Sequence, residues 1–426
     1  MAFASIGTRF PATRHHDFRA LWGGTAASSV ALWTLLLGNA WVVYHLSGSS
    51  FWVGVSTFAS MSPYLLAPFG GVIADRVERK YLVRVTRLGA ISITALLFTL
   101  AATGALEVWM VVGLALCQGL VRAVEIPADQ ALLANVVPAS ALSNAVALTS
   151  MTQHGSRAVG PLLAGPLLAT IGVEGAYAVS LLFAGLSFIS ISGVRTSSRG
   201  GVTTLREVAG NLAEGLSYVR HSGPVLAIFM LVTAHCALTM SFDAMLPGFA
   251  ETRLHSPSAG FTLMTLGVGV GALVGTFVLA VLRDSQRGTL LLATAFASGF
   301  APILMSASMA LPMATFSAVL MGSSQAMFMA VTAVLLQQVI PDAVRGRVMS
   351  LYLMSAGGIM AFANLGFGSA ADATGAPVLF LVPAVVFLAI VAVSAGIGGH
   401  LKTIYRTGVA PGGTVPAPVT MPAGDL

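Results

Sequence analysis

The sequence predicts an all-α integral membrane protein, with twelve transmembrane helices arranged as two parallel six-helix halves. Three observations carry that prediction. Hydrophobic residues fill 56% of the 426 positions and charged residues only 8%, against about 25% charged in an ordinary soluble domain. Apolar runs of about 20 residues, enough to cross roughly 30 Å of hydrocarbon, recur along the whole chain. LLANVVP at 132–138 also matches LLQQVIP at 335–341 at four of seven positions, an offset of 203 that pairs the fourth expected span of each half.

The first apolar run, 18–46, is longer than the apolar core of a cleavable signal peptide and is expected to be the first span. Runs at 51–74, 82–104, 107–126, 145–170 and 175–194 complete a first half. A second half follows at 224–248, 259–282, 288–309, 312–337, 347–371 and 376–399. Each run should be helical, because lipid offers no partner to an exposed backbone N–H or C=O. The expected divisions are a first half at 1–194, a cytoplasmic linker at 195–223 and a second half at 224–400. A cytoplasmic tail at 401–426 follows, expected to be disordered because GVAPGGTVPAPVTMPAGDL is rich in Pro and Gly.

The formal charge of +6 raises nucleic acid as a partner, but the basic residues form neither a stripe nor a tail. They sit between the apolar runs, where positive charge orients a membrane protein. With the N-terminus inside, Arg253 is the single basic residue of 21 left outside, so both termini are expected in the cytoplasm. Cys117 and Cys236 lie in apolar runs, and no metal-ligand spacing is present. Neither lysine, Lys80 nor Lys402, follows a glycine, which excludes a phosphate-binding Walker loop. No cofactor is expected, and no hydrolytic triad or carboxylate pair marks the chain as an enzyme.

Five of the six residues from Asp75 to Lys80 are charged, in the stretch GGVIADRVERK between the second and third spans. A positive-inside anchor explains the basic residues but not the spacing Gly71–x–x–x–Asp75–Arg76–x–x–Arg79–Lys80. That spacing resembles the signature loop of the major facilitator superfamily, with Glu78 standing where the family usually has Gly. The resemblance implies a latch: Asp75 near one helix end pairs with Arg and faces another helix's dipole when the halves close on the inner side. RDSQR at 283–287 is a degraded counterpart in the second half. Two parallel halves joined by a long linker are a secondary-transporter plan.

A second stretch is more specific. GLVRAVEIPADQALLANVVPASALSNAVALTSM at 119–151 is similar to the branch that holds enterobactin exporters and macrolide efflux pumps, through Arg122, Pro127, Ala131, Pro138, Asn144 and Leu148. In span five, Gly155, Arg157, Gly160, Pro161 and Gly165 resemble a motif associated with antiporters, although Ser156 and Ala164 replace expected glycines. Gly267, Gly271 and Gly275 share one face of span eight, and in the family spans five and eight meet, so these glycines are expected to form a sliding contact between the halves.

Polar residues deep in spans are costly and face a cavity or another helix. Asn39, Gln118, His235, Gln325 and Asn364 are the candidates for a substrate cavity, each with an inter-helix hydrogen bond as the plain alternative. A proton-driven carrier also needs an intramembrane group that gains and loses a proton, commonly a carboxylate among apolar side chains. Asp243, near Met240, Phe242 and Met245, is the acid well inside a span. His235 lies eight residues away, and on a regular helix both face one cavity. Glu125 is expected at a span end and Asp129 in a loop. The resemblance implies a multi-pass plasma (bacterial inner) membrane protein, a monomer, which exports an amphipathic small molecule such as a siderophore or macrolide-like antibiotic against protons. Solute-uptake symport, or a non-transporting receptor or scaffold on the same fold, remains the alternative.

Overall fold

A computed structural model describes residues 11–198, 204–282, 287–396 and 399–407, apart from the side chains at 154, 205 and 280. Among these residues all regular structure is helical, as a chain that must satisfy its own backbone in lipid requires. The first half holds α1 (His16–Ser47), α2 (Ser50–Arg76), α3 (Arg79–Ala102), α4 (Val108–Val136), α5 (Ala139–Thr170) and α6 (Val173–Ser192). The linker helix α7 (Leu205–His221) leads into α8 (Gly223–Met240) and the short α9 (Leu246–Thr252). The second half continues with α10 (Pro257–Val281), α11 (Arg287–Ala307), α12 (Leu311–Val339), α13 (Asp342–Thr374) and α14 (Ala376–Gly396), and α15 (His400–Thr407) closes the described chain.

Eleven of these helices are long and apolar enough to cross a bilayer. The fifth expected span, α5, is not among them, yet it is an unbroken 32-residue helix lodged between the halves. Its polarity fits that central position.

Two expectations are corrected, and the linker gains a helix. The stretch 224–248 is not one helix: α8 ends in a π turn at Cys236–Met240, the chain breaks at Ser241, and α9 restarts with Pro247 in its first turn. The expected linker contains a helix: Thr204 and Glu207 form a capping box that starts α7, with bonds of 3.2 and 2.9 Å. Residues 401–407 of the tail are helical, and 408–426 lie outside the described residues. Span two carries a further interruption, a 3-10 segment at Ser62–Leu66, where Pro63 removes a backbone donor.

The packing is uneven along the bundle. At the end holding the turns near residues 48, 104, 172 and 375, the halves share one apolar core that joins Leu35, Val43, Val53 and Leu168 to Phe242, Phe249, Met264 and Phe380. Toward the opposite, arginine-rich end each half keeps a core of its own. Phe18, Leu82, Leu132 and Val136 serve the first half, and Val225, Leu291, Leu335 and Val391 the second. The bundle is closed at the end where its core is shared.

Glycines set the helix crossings, since association in lipid depends on close backbone approach. Here the expectation for span eight is corrected. A Cβ at Gly271 would stand 2.0 Å from the carbonyl oxygen of Val319, so the stripe Gly267, Gly271, Gly275 faces α12 within the second half. The contact with α5 falls to Gly269, whose Cβ would meet the Cα of Ala158 at 2.6 Å.

Candidate functional site

A cavity of about 60 Å³ lies between the halves, lined on the first-half side by Trp33, Asn39, Ser56, Ser60 and Met61. Asp243, Leu246, Phe261 and Thr265 line it from the second half. The break after α8 places Asp243 in a turn rather than in a helix, which turns its carboxylate into this space. The Arg157 guanidinium lies 4.9 Å over the Trp33 ring, a cation–π contact. Arg157 and Asp243 sit within each other's electrostatic reach, one from each half. Among the described residues neither makes a hydrogen bond or an ion pair. Pockets for drug-sized ligands measure roughly 300–1,000 Å³, so the cavity must widen to admit one.

The other expected cavity residues divide. Asn39 faces the cavity while accepting a 2.9 Å hydrogen bond from the Tyr177 hydroxyl. Gln118 lines two neighbouring small cavities inside the first half with Arg122, and its side-chain oxygen is buried without a partner. His235 does not share the cavity with Asp243. Its ring packs on Phe328 at 4.1 Å and Phe387 at 5.4 Å, and its Nδ1 lies 2.7 Å from the Thr239 hydroxyl. Gln325 donates to the Thr239 carbonyl at 2.8 Å in the same cluster, so both residues brace the π turn. Asn364 accepts from the Ala244 amide at 3.2 Å and thereby holds the turn that carries Asp243. The i, i+8 spacing of His235 and Asp243 assumed a regular helix; the π turn and break remove that register.

On α5, Gly160 admits Trp33, whose Cβ would lie 2.9 Å from a Cβ at that position, and Gly165 admits Thr262 of the second half. Gly155 makes only ordinary contact, and Pro161 lies inside the helix. At the charged loop, Asp75 lies in the last turn of α2 and accepts from Arg79 at 3.5 Å. Arg79 also donates to Asn135 at 2.6 Å, and its amide bonds the Ser198 carbonyl at 3.0 Å, which ties the loop to α4 and to the start of the linker. Arg76 is exposed and Lys80 half-buried. A Cβ at Gly71 would meet nothing within 4 Å; the close approach in this motif belongs to Gly70, against Ala123 of α4.

The largest feature missed from sequence is a buried charge cluster inside the first half. Glu125 and Asp129 lie within α4, not at a span end or in a loop. Arg87 of α3, 2% exposed, reaches Asp129 at 3.3 Å and Glu125 at 3.6 Å. Arg122 pairs with Glu125 at 3.2 Å, and Ser28 donates to Glu125 at 3.1 Å. Two guanidinium groups thus balance two carboxylates. The signal was present: residues 122, 125 and 129 are i, i+3 and i+7, one helix face. Gly24 clears the space, since a Cβ there would stand 2.2 Å from an Arg87 nitrogen.

Two helical halves that share a core at one end, with an ionisable cavity between them, define a membrane transporter of the major facilitator fold. The family model described as transmembrane secretion effector matches residues 7–416, and the chain belongs to that family. Macrolide efflux protein A of Streptococcus pyogenes is 24% identical over 343 residues, covering 78% of this chain and 84% of that protein. The staphyloferrin A transporter of Staphylococcus aureus is 29% identical over 139 residues, covering 32% of this chain and 35% of the relative. Among solved structures, a mutant of the peptide transporter POT superposes with a TM-score of 0.72 at 13% identity, covering 92% of this chain and 94% of that one. The human organic anion transporter MFSD10 gives 0.65 at 15% identity, over 88% and 98%. At such identities these structures establish the fold.

Proposed function

We propose that this protein is a monomeric exporter of an amphipathic small molecule, driven by proton antiport and working by alternating access in the bacterial inner membrane. Both termini are in the cytoplasm, and the protein performs transport rather than chemistry on its cargo. The observation that carries the reading is the interface cavity, apolar on most of its wall and holding one carboxylate, Asp243, supplied by the second half. Export is favoured over uptake by the relatives named for macrolide efflux, which cover most of the chain. Asp243 is the coupling acid. It faces the cavity where substrate passes and lies in a turn whose setting changes when the halves move. Arg157 of the first half, stacked over the cavity-lining Trp33, is the nearby cation whose distance from Asp243 changes as the halves move. His235 has no part in this step, because its ring is enclosed by the second-half core.

The test is purified protein in liposomes with an imposed pH gradient and a fluorescent amphipathic probe. Wild-type flux should follow the gradient and collapse with a protonophore. Asp243→Asn should bind the probe yet fail to move it uphill. Uphill flux by that variant with an unchanged pH profile would exclude Asp243 as the coupling group.

A further inference from the structure

The charged loop of α2 and α3 lies at the arginine-rich end, yet in this structure the halves meet most closely at the other end. There α13 presents Asn364, Gly368 and Asp372, spaced by four residues on one face, against the start of α2. A Cβ at Gly368 would stand 2.5 Å from the Ser50 carbonyl oxygen, and one at Gly54 would stand 2.8 Å from that of Asn364. This close crossing carries Asp372, one turn further along α13, onto the first residues of α2.

The contacts are those of a helix cap. Ser49 is the N-cap residue of α2, but its hydroxyl does not cap its own helix. It donates instead to Asp372. The free amide of Ser50 donates to the other carboxylate oxygen at 2.7 Å, and that of Phe51 to the first at 3.2 Å. The first amides of a helix lack intrahelical partners and carry the positive end of its dipole. Here a carboxylate of the opposite half satisfies two of them. We propose that Asp372 is a gating residue: it caps α2 in trans and holds the transporter closed at the end opposite the charged loop. Every one of its three bonds must break when the halves part there, and water then replaces them. The two ends of α2 are thereby guarded by carboxylates of opposite provenance, Asp75 from its own C-terminus and Asp372 from its partner half.

This inference rests on the alternating-access reading and its orientation, so its test uses no substrate and no gradient. A single cysteine, Thr57→Cys beside Ser56 on the wall of the cavity between the halves, is placed in a background lacking Cys117 and Cys236. It is labelled with an impermeant thiol reagent in whole cells and in inverted vesicles. Asp372→Ala should raise the labelling rate in whole cells about tenfold, the size of a lost cap, and lower it in inverted vesicles. Asp372→Asn, which keeps an acceptor, should shift less, and Ser49→Ala, which removes one bond of three, less again. The same reciprocal change with the faces exchanged supports the gate while overturning the orientation. Unchanged labelling overturns the proposal, as does a rise from both faces, which reports a loosened fold.

Discussion

Replacing Arg87 with Met tests whether the first half is held by its buried charges. The substitution keeps the length of the side chain and removes the guanidinium that spans Asp129 at 3.3 Å and Glu125 at 3.6 Å. At such separations, with an effective dielectric constant of about 20, each attraction is worth roughly 5 kcal/mol before desolvation is counted. Arg122 remains on Glu125, so the uncompensated charge falls on Asp129. Breaking a buried pair by deleting one partner costs about 3–5 kcal/mol, because a charge is left without its counterion. Arg87→Met should therefore unfold at markedly lower temperature than wild type in detergent, followed by thiol-reactive dye or size-exclusion loss. The double variant Arg87→Met with Asp129→Asn leaves no orphan charge and should recover most of that loss, a coupling of about 2–3 kcal/mol in a double-mutant cycle. Equal melting of wild type and Arg87→Met would refute the reasoning. Additive losses in the double variant would refute it too, since they would show that shape rather than charge balance is what Arg87 supplies.

Other consequences concern the crossings and the loop. Gly271→Val places methyl groups where the Val319 carbonyl lies and should reduce folded protein in the membrane severalfold, measured by fluorescence-detected chromatography. Gly71→Ala meets open space and should leave transport within about twofold of wild type, in liposome flux assays. Asp75→Asn should slow transport at least about tenfold while the amount inserted in the membrane stays near normal; loss of protein in parallel with activity would assign Asp75 a packing role instead.

The fold was legible because the solvent imposes it. Apolar runs of spanning length, arginines between them and the weak repeat at LLANVVP and LLQQVIP suffice for two six-helix halves. What sequence reasoning lost was local deviation from the regular helix. The run 224–248 is apolar on both sides of the break at Ser241, so the isolated Ser241 and Asp243 read as polar residues within one helix rather than as its end. The helix α7 was hidden because a polar segment outside the bilayer reads as a linker until its capping box is noticed. Span eight shows a related limit. Glycines at 267, 269, 271 and 275 are legible as a close-packing helix, but which of them faces α12 and which faces α5 depends on helix rotation, and composition does not encode rotation.

The same limit explains the site. Glu125 and Asp129 were assigned to a span end and a loop because a charge inside an apolar run shortens the run when hydropathy is counted. Physically the inference should run the other way: an acid survives in a span when a partner is brought to it. The arginine at 122 lies on the same face as both acids and was available as that partner, whereas Arg87 comes from another helix and no local pattern announces it. Asp372 is the extreme case. Its proposed role arises only where α13 crosses α2 within hydrogen-bond reach, and two of its three partners are backbone amides, which leave no trace in side-chain identity. Asp243 could be found because it stands alone as an acid among apolar residues in the run 224–248. An acid without hydrogen bonds inside a membrane protein is costly, and the proposed coupling role is what would account for one standing on the wall of a cavity between the halves.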